Sequence, residues 1–255
     1  SVCVASFIST VLAELGGGDV LEVGPGTGVM ASDMGSFWKD PLSQPYNYFM
    51  LEVSPDLRDR QRVILEERTP DFAPRVHWVD DLPLSGFRGV VVANEVLDAM
   101  PVHLFVDRVG FVHERYVRSH DSGFGWENAP LSAGPVWERV QSVAPHWREG
   151  VPRPIEYQSE VNLAMEAWLA RVAAMLDQGI LLILDYGYTQ REYYHAQRTM
   201  GTLMCYYRHR AHTDPLIHPG QQDISSSVDF SALAHAAVRS GLDVLCFTTQ
   251  AHFLL

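Results

Sequence analysis

Residues 21–28 constrain the fold of this chain more than any other segment, because an apolar run leads directly into three alternating glycines. The glycines are Gly24, Gly26 and Gly28, and a glycine can adopt a positive φ that brings the backbone close to a bound molecule. Residues 29–34 then have the pattern of a helix, whose N-terminal amides would face that molecule. The segment predicts a strand, a loop and a helix that together bind a nucleotide-like cofactor.

Two glycine-rich patterns compete for this segment. The dinucleotide fingerprint Gly-x-Gly-x-x-Gly/Ala fits Gly26, Gly28 and Ala31, but it moves the turn two residues beyond the strand and leaves Glu22 without a role. The pattern acid-x-Gly-x-Gly-x-Gly fits from Glu22 to Gly28 without a shift, and it resembles the first motif of class I S-adenosylmethionine (SAM) methyltransferases. SAM binding, dinucleotide binding and a purely structural turn all stay open at this point.

A second acidic residue, Glu52, ends the next predicted strand, residues 46–51, and lies 24 residues after Gly28. A carboxylate at about this spacing suits a ribose, because it accepts hydrogen bonds from both hydroxyls of the diol. NAD enzymes use the same arrangement. Glu52 therefore supports a ribose without choosing the cofactor, and the alternative is a solvent-exposed acid at a strand end.

Strands and helices alternate as far as residue 93, which predicts βαβ units in one parallel sheet with ligands outside the carboxyl ends of the strands. Polar side chains end four of these strands, and we expect them to converge on a single crevice. They are Glu22 in the first strand (20–23), Glu52 after the second (46–51), Asp80 or Asp81 after the third (76–79), and Asn94 with Glu95 after the fourth (89–93).

The alternation breaks in two places, at about 102–150 and 189–228, which we interpret as segments inserted into one domain that covers residues 1–255. The first segment contains two predicted antiparallel strands and then a loop region. The remaining predicted elements are strands at 102–106 and 110–117, a helix at 156–177 ended by Gly179, a fifth parallel strand at 180–184, a helix at 231–239 and a last strand at 244–249.

The composition indicates a globular protein with a sizeable core, since 47% of the 255 residues are hydrophobic. A formal net charge of −12 disfavours nucleic acid, whose phosphates would be repelled, and favours a cationic substrate. The longest apolar runs, residues 90–93 and 180–184, are too short to span a bilayer, and no signal peptide is evident. We expect neither a nucleic-acid partner nor a membrane span.

Cys3, Cys205 and Cys246 are far apart, which argues against a disulfide framework and against a cysteine-based metal site. His209 and His212 have no acid or cysteine pair at ligand spacing, so no metal is predicted. A reducing compartment is the simpler inference. This would be the cytoplasm if the protein is bacterial and the mitochondrion if it is eukaryotic.

The segment after the fourth strand carries Asn94, Glu95 and Asp98. If residues 95–98 form a helical turn, the i,i+3 spacing places both carboxylates on one side, where they could hold a guanidinium bidentately and direct one nitrogen at a sulfonium methyl group. The alternatives are equally simple. Asp98 would cap the turn before Pro101, and Glu95 would bind backbone amides.

Five ordered motifs together resemble the MidA family of SAM-dependent methyltransferases, over roughly residues 20–255. They are Glu52-Val53-Ser54-Pro55-x-Leu57-Arg58-x-x-Gln61, Ala93-Asn94-Glu95-x-x-Asp98-Ala99-x-Pro101, Asp185-Tyr186-Gly187-Tyr188, Gly201-Thr202-Leu203, and Asp223-Ile224 with Val228-Asp229-Phe230. The resemblance implies the α/β class I methyltransferase fold. In this Rossmann-like fold helices cover both faces of a mostly parallel sheet, here with insertions after strands four and five.

The resemblance also implies S-adenosyl-L-methionine as cofactor and a protein side chain, most plausibly arginine, as methyl acceptor. Mitochondrial members of the family are complex I assembly factors that methylate an arginine of a complex I subunit. The family usually carries an additional N-terminal segment, and this chain, which starts at Ser1 inside a periodic helix, is expected to lack its native start. The alternatives are a SAM-binding assembly factor or chaperone with little catalysis, and a dinucleotide-dependent oxidoreductase.

Residue roles follow from the same resemblance. Asn94, Glu95 and Asp98 are the candidate catalytic residues, with Glu95 reducing the charge penalty of transfer, and Tyr186 and Tyr188 would roof the acceptor pocket. The candidate cofactor residues are Glu22, Gly24, Pro25, Gly26, Thr27 and Gly28 around the methionine part, Glu52 at the ribose, Asp80 or Asp81 at the adenine edge, and Asn94 near the methyl group.

Overall fold

The structure is a computed structural model that describes residues 1–39, 44–121, 123–149 and 154–254. The chain divides into two compact units. The first comprises Ser1–Val96, Ala170–Asp185 and Ser240–Leu255, and the second comprises Leu97–Leu169 and Tyr186–Arg239. The second unit includes the predicted inserted segments, of which residues 122 and 150 lie outside the described ranges.

The helices of the described ranges are α1 (Val2–Leu15), α2 (Val29–Phe37), α3 (Pro55–Arg68), α4 (Pro135–Val143), α5 (Pro145–Arg148), α6 (Leu163–Met175), α7 (Gln190–Tyr193), α8 (Phe230–Arg239) and α9 (Gln250–Phe253), with a 3₁₀ turn at Ala73–Arg75. The strands are β1 (Asp19–Val23), β2 (Tyr48–Leu51), β3 (Val76–Val79), β4 (Phe87–Asn94), β5 (His103–Arg108), β6 (Phe111–His120), β7 (Gly123–Pro130), β8 (Glu156–Val161), β9 (Leu176–Leu184), β10 (Gly187–Tyr188), β11 (Met204–Tyr207), β12 (Arg210–His212), β13 (Asp223–Ser225) and β14 (Val228–Asp229).

A five-stranded sheet of order β3-β2-β1-β4-β9 forms the centre of the first unit, and all of its neighbouring strands are parallel. This confirms the predicted α/β class with a mostly parallel sheet. The strand order reverses between β1 and β4, the point at which ligands bind in sheets of this kind. Val90, Val91 and Val92 have no exposed surface, as expected for a central parallel strand.

Two of the helix boundaries in the first unit have a clear local cause. The αL conformation of Gly16, with φ 73°, ends α1. Ser54 caps α3, because its Oγ accepts a hydrogen bond from the Leu57 amide, and Pro55 occupies the first helical position, where its missing N–H is not needed. The cap residue lies two residues after Glu52 and the helix begins at the next residue, which fixes the position of that acid.

The second unit has its own antiparallel sheet of order β7-β6-β5-β8, and its core lies around Phe105. Trp147 and Tyr157 stack in this core with ring centroids 4.5 Å apart. The two predicted antiparallel strands correspond to β5 and β6 and are confirmed. The predicted loop region after them is instead strand β7 followed by two helices, because β7 extends the hairpin by pairing with residues 113–120 of β6.

Three other predictions were wrong. The predicted helix at 156–177 begins only at Leu163, since residues 156–161 pair with β5, and cross-strand pairing outweighs a helical periodicity. Gly179 lies inside β9 and does not end a helix; a Cβ there would lie 1.8 Å from the Gly89 carbonyl oxygen, so only glycine fits. The described residues 242–249 form neither strand nor helix, so the last strand predicted at 244–249 is not found there.

Within the described ranges, none of the helices combines the length and hydrophobicity that crossing a bilayer requires.

Candidate cofactor and methyl-transfer site

The loop after β1 has the backbone conformation that its glycines predict. Gly24, Gly26 and Gly28 have φ values of 62°, 56° and 82°, which side chains other than glycine rarely adopt. A Cβ on Gly28 would lie 3.0 Å from Gln61 Cγ, whereas a Cβ on Gly26 would meet none of the described residues within 4 Å apart from its chain neighbours. Gly28 is therefore needed for packing, and Gly26 faces open space.

That open space belongs to a cavity of about 430 Å³ in the first unit, within the size range of small-molecule sites. The cavity lies at the carboxyl ends of β1 and β4, where the strand order of the sheet reverses. Its lining residues are Ser1, Glu22, Gly24, Pro25, Gly26, Thr27, Val29, Met30, Asn94 and Glu95. Seven of the predicted site residues are thus brought together: Glu22, Gly24, Pro25, Gly26, Thr27, Asn94 and Glu95.

The strand register explains why residues so far apart in sequence reach one edge of the sheet. Val23 pairs with Leu51 on one side and with Ala93 on the other, and Leu51 pairs with Val79. The residues that follow these positions are therefore level with one another. Gly24, Glu52 and Asp80 directly follow β1, β2 and β3, and Asn94 is the last residue of β4.

Glu22 is the buried acid of the cavity, with only 1% of its surface exposed. Its Oε2 accepts a hydrogen bond of 2.6 Å from the Tyr48 hydroxyl on the neighbouring strand. Burial raises the pKa of Glu22 to about 7, and the Tyr48 hydrogen bond opposes this shift. A carboxyl group that titrates near neutrality thus lies beside the glycine loop.

Glu52 is also buried but is not among the cavity-lining residues. Its Oε1 accepts a hydrogen bond of 2.9 Å from the Ser54 amide, and its Oε2 accepts one of 3.2 Å from Gln61 Nε2. The same Gln61 nitrogen donates to the carbonyl oxygen of Gly26 at 2.7 Å. Gln61, to which the sequence assigned no role, therefore joins the glycine loop to the predicted ribose acid.

Asp80 and Asp81 are exposed, and neither lines the cavity. Asp80 forms an ion pair of 2.8 Å with Arg58, which also donates to the backbone carbonyl of Glu52. Asp81 accepts a hydrogen bond of 2.7 Å from Arg171, and this bond, together with one from the Leu82 amide, lowers the pKa of Asp81. Both acids are level with the site but already bind arginines.

Asn94 and Glu95 reach the cavity from the end of β4. Glu95 has a φ of 51°, so residues 95–98 do not form the predicted helical turn. The Glu95 amide donates a hydrogen bond of 2.8 Å to the Leu184 carbonyl, which continues the pairing of β4 with β9. Glu95 adopts the left-handed conformation at this point, directly after the end of β4. A non-glycine residue in this conformation is strained, and such strain is characteristic of functional positions.

Asp98 lies in the second unit and is 7% exposed. Its Oδ2 accepts a hydrogen bond of 2.8 Å from the Tyr186 hydroxyl, and its backbone carbonyl accepts one of 2.9 Å from the Ser226 amide. Tyr188 packs against the Arg198 guanidinium, which lies 4.3 Å from the ring centroid. Asp98 and Tyr186 were both predicted from the sequence to contribute to the site, and they are joined by a hydrogen bond.

The motif Gly201-Thr202 contacts the buried acid Glu160, which was not predicted from the sequence. Glu160 on β8 has no exposed surface, and its Oε1 accepts hydrogen bonds from Tyr193 Oη at 2.7 Å and from the amide and hydroxyl of Thr202 at 2.8 Å and 2.6 Å. Thr202 Oγ1 in turn accepts from the Ser227 amide at 2.9 Å. Burial raises the pKa of Glu160, against the lowering effect of its Thr202 and Tyr193 hydrogen bonds.

A parallel sheet with a glycine loop after its first strand is the α/β arrangement that class I methyltransferases share with dinucleotide-binding proteins. A family model described as "Putative S-adenosyl-L-methionine-dependent methyltransferase" matches residues 3–248. The chain therefore belongs to this family of SAM-dependent methyltransferases. This membership confirms the family and the cofactor predicted from the motifs, and it favours the SAM pattern of the loop over the dinucleotide fingerprint.

Solved structures and curated relatives agree with this membership. A superfamily protein from Burkholderia thailandensis aligns with a TM-score of 0.90 and 39% identity over 99% of this chain and 66% of its own. A member of the same superfamily from that organism, bound to S-adenosyl-homocysteine, aligns with a TM-score of 0.87 and 39% identity over 100% of this chain and 65% of its own.

Among curated proteins, the mitochondrial protein arginine methyltransferase NDUFAF7 homolog of Drosophila melanogaster is 27% identical over 87% of this chain and 53% of its own length. The mitochondrial NDUFAF7 protein arginine methyltransferase of Mus musculus is 26% identical over 86% of this chain and 52% of its own length. The chain spans about half the length of the curated relatives it matches.

The geometry of the loop fits the cofactor. SAM is cationic at its sulfonium and its amino group, and the buried Glu22 carboxyl supplies the opposite charge inside the cavity when it is ionised. Gly24 and Gly26 expose backbone rather than side chains, and the space where a Gly26 Cβ would lie contains no protein atom. These residues could therefore hold the methionine part, and Asn94 lines the same cavity.

Proposed function

We propose that this protein transfers a methyl group from SAM to the side chain of a protein substrate, and that the acceptor is arginine. The observation that carries the proposal is the meeting of the glycine loop, the buried Glu22 and the strained Glu95 around one cavity, in a chain of a SAM-dependent methyltransferase family. Arginine as acceptor rests on the relatives named protein arginine methyltransferases, on the acidic side chains at the cavity and on the net charge of −12.

Bound SAM supplies an activated methyl group, so this chain mainly has to bind and orient the reactants. Glu95 is exposed at the cavity and is free to hold a cationic guanidinium through charge-assisted hydrogen bonds. Arginine keeps its proton up to a high pKa, so the proton leaves during or after methylation. A Glu95 carboxylate oxygen is the proposed acceptor of that proton, and Asn94 is proposed to orient the reacting groups.

The remaining predicted residues keep their proposed roles. Glu52 would bind the ribose, Asp80 or Asp81 would bind the adenine edge, and Gly28 would line the methionine part. The catalytic role proposed for Asp98 is supported by its burial and by its hydrogen bond from Tyr186. The proposed location is conditional on source: the cytoplasm in a bacterium, the mitochondrion in a eukaryote.

The decisive experiment replaces Glu95 and follows methyl transfer to cellular proteins by mass spectrometry with isotope-labelled SAM. Glu95→Gln should bind SAM like the wild type but transfer methyl groups roughly a hundredfold more slowly, since general acid–base groups contribute factors of this order. Glu67→Gln removes an exposed acid near the end of α3 and serves as the matched control. Unchanged turnover in Glu95→Gln would remove Glu95 from the mechanism.

A second candidate, from a different class, is a SAM-binding assembly factor with little catalysis. The resemblance to a family with assembly factors among its members favours it. In that case the wild type would bind SAM and a partner protein without adding the mass of a methyl group to any arginine. Peptides with a labelled arginine in the same mass spectrometry experiment would support the methyltransferase over the assembly factor. Label on residues other than arginine would show that the proposed acceptor is wrong.

A further inference from the structure

The side chain of Gln61 makes three hydrogen bonds inside the first unit although it has no exposed surface. Its Nε2 donates to the Gly26 carbonyl at 2.7 Å and to Glu52 Oε2 at 3.2 Å, and its Oε1 accepts from Trp78 Nε1 at 2.7 Å. The indole nitrogen of Trp78 can only donate, so the Gln61 oxygen must face it. The amide nitrogen then necessarily faces the other two partners, both of which are acceptors.

Each partner of Gln61 belongs to a different part of the sheet edge. Gly26 is in the loop after β1, Glu52 follows β2, and Trp78 is in β3. Gln61 itself lies on α3, whose start is fixed by the Ser54 cap. A single rigid amide thus sets the distance between the glycine loop and the Glu52 carboxylate.

The backbone of the loop is fitted to this side chain as well. A Cβ on Gly28 would lie 3.0 Å from Gln61 Cγ and 3.3 Å from Gln61 Cα, so the loop rests directly on Gln61. A shorter side chain would leave a gap below Gly28, and an acidic one would place a second carboxylate beside Glu52. Glutamine supplies the length, the donor and the neutral charge that the position requires.

We propose that Gln61 is a positioning residue for the cofactor: it holds the glycine loop and Glu52 at the separation that lets one SAM molecule contact both. The proposal rests on the proposed function for the ribose role of Glu52. It predicts that Gln61 acts on cofactor affinity through the ribose, although no part of Gln61 lines the cavity.

The test measures the Kd of S-adenosyl-homocysteine and of its 3′-deoxy analogue by calorimetry, without any methyl acceptor. The wild type should prefer S-adenosyl-homocysteine by roughly tenfold, the value of one hydrogen bond to a charged group. Gln61→Met keeps the length of the side chain but removes all three hydrogen bonds. It should bind S-adenosyl-homocysteine roughly tenfold more weakly and lose the preference over the analogue.

Two further variants keep the proposal falsifiable. Gln61→Glu should lose at least as much affinity as Gln61→Met, because it adds charge beside Glu52. Trp78→Phe removes only the third hydrogen bond and should keep the preference, whereas an equal loss in Trp78→Phe and Gln61→Met would indicate general loosening and overturn the proposal. Thermal unfolding without ligand verifies that each variant is folded.

Glu52→Gln separates this inference from the function on which it rests. If Glu52→Gln keeps the ribose preference while Gln61→Met loses it, the route through Glu52 is overturned. A Gln61→Met protein with wild-type affinity and preference overturns the positioning role itself. A wild type that binds these ligands but methylates nothing contradicts the proposed transfer reaction alone, because the affinities are measured without an acceptor.

Discussion

The hydroxyl of Tyr48 donates a hydrogen bond of 2.6 Å to Glu22 Oε2, and both side chains are buried. Burial raises the pKa of Glu22 to about 7, and the hydrogen bond from Tyr48 opposes the shift. Because Glu22 also lines the cavity, its charge near neutral pH depends on what the cavity contains. A cation in the cavity favours the ionised carboxylate, so cofactor binding and proton release are coupled.

The affinity for SAM should therefore rise with pH. Below pH 7 the Glu22 carboxyl holds a proton that the cationic cofactor must displace, so the Kd for SAM should fall roughly tenfold from about pH 6 to about pH 8. S-adenosyl-homocysteine lacks the sulfonium charge and should show a smaller change. Calorimetry in two buffers of different ionisation enthalpy counts the released protons.

The control for this pH dependence is Glu22→Gln, which cannot titrate at that position and should bind SAM weakly but with a Kd that does not change over this pH range. A wild-type Kd that is constant from about pH 6 to about pH 8 would contradict the coupling.

Stability without ligand should depend on pH in the opposite sense. The pKa of Glu22 is raised on folding, from 4.5 to about 7, so the native state holds the proton more tightly than the unfolded state between these values. The free energy of unfolding should fall as pH rises through this window, by about 3 kcal/mol in total from this group. Denaturant unfolding at several pH values measures the free energies of unfolding of the wild type and of Glu22→Gln. The wild type should lose stability relative to Glu22→Gln as the pH rises from 5 to 7.

Tyr48→Phe provides the complementary test of this stability prediction. The variant lacks the Tyr48 hydroxyl, whose hydrogen bond lowers the pKa of Glu22. The pH range over which the free energy of unfolding declines should therefore extend to higher pH. An unfolding free energy with the same pH dependence in wild type and Glu22→Gln would assign the titration to another group.

Two glycines with similar backbone conformation separate folding from cofactor binding. Gly16 and Gly26 have φ values of 73° and 56°, and a Cβ on either would meet none of the described residues within 4 Å apart from its chain neighbours. Alanine at each position should therefore cost about 1–2 kcal/mol of stability through its left-handed backbone. Only Gly26 lines the cavity, so only Gly26→Ala should also weaken SAM binding, by tenfold or more.

Thermal unfolding and SAM calorimetry on both glycine variants check this prediction. Equal SAM affinities in Gly16→Ala and Gly26→Ala would show that the loop backbone does not approach the cofactor.

The parallel sheet and the cavity were predictable because their signals are local. A buried apolar strand followed by glycines or acids appears directly in the sequence, and the shared register then brings Gly24, Glu52, Asp80 and Asn94 to one level. The conformation of Glu95 was not predictable, because it depends on the bond between its amide and Leu184, which lies 89 residues away in sequence.

The errors in the second unit have a similar cause. Residues 156–161 form a strand because β5 provides a partner, and no local pattern reveals this. Glu160 was overlooked because a single acid in an apparent helix has no distinguishing feature. The motif Gly201-Thr202 was a usable signal, since its glycine, with a φ of 70°, leaves room for the Glu160 carboxylate: a Cβ there would lie 2.2 Å from Glu160 Oε2.

The Glu160 cluster leads to the last prediction, on Thr202. Its hydroxyl donates to Glu160 Oε1 and accepts from the Ser227 amide, so Thr202→Val removes both hydrogen bonds with little change in shape. The loss should destabilise the segment around Ser227 by about 1–3 kcal/mol, as for a buried polar group that loses its partner. Thr202→Ser keeps the hydroxyl and should lose far less. Amide hydrogen exchange should quicken at Ser227 in Thr202→Val but not in Thr202→Ser, and equal protection in both variants would show that the hydroxyl does not hold this segment.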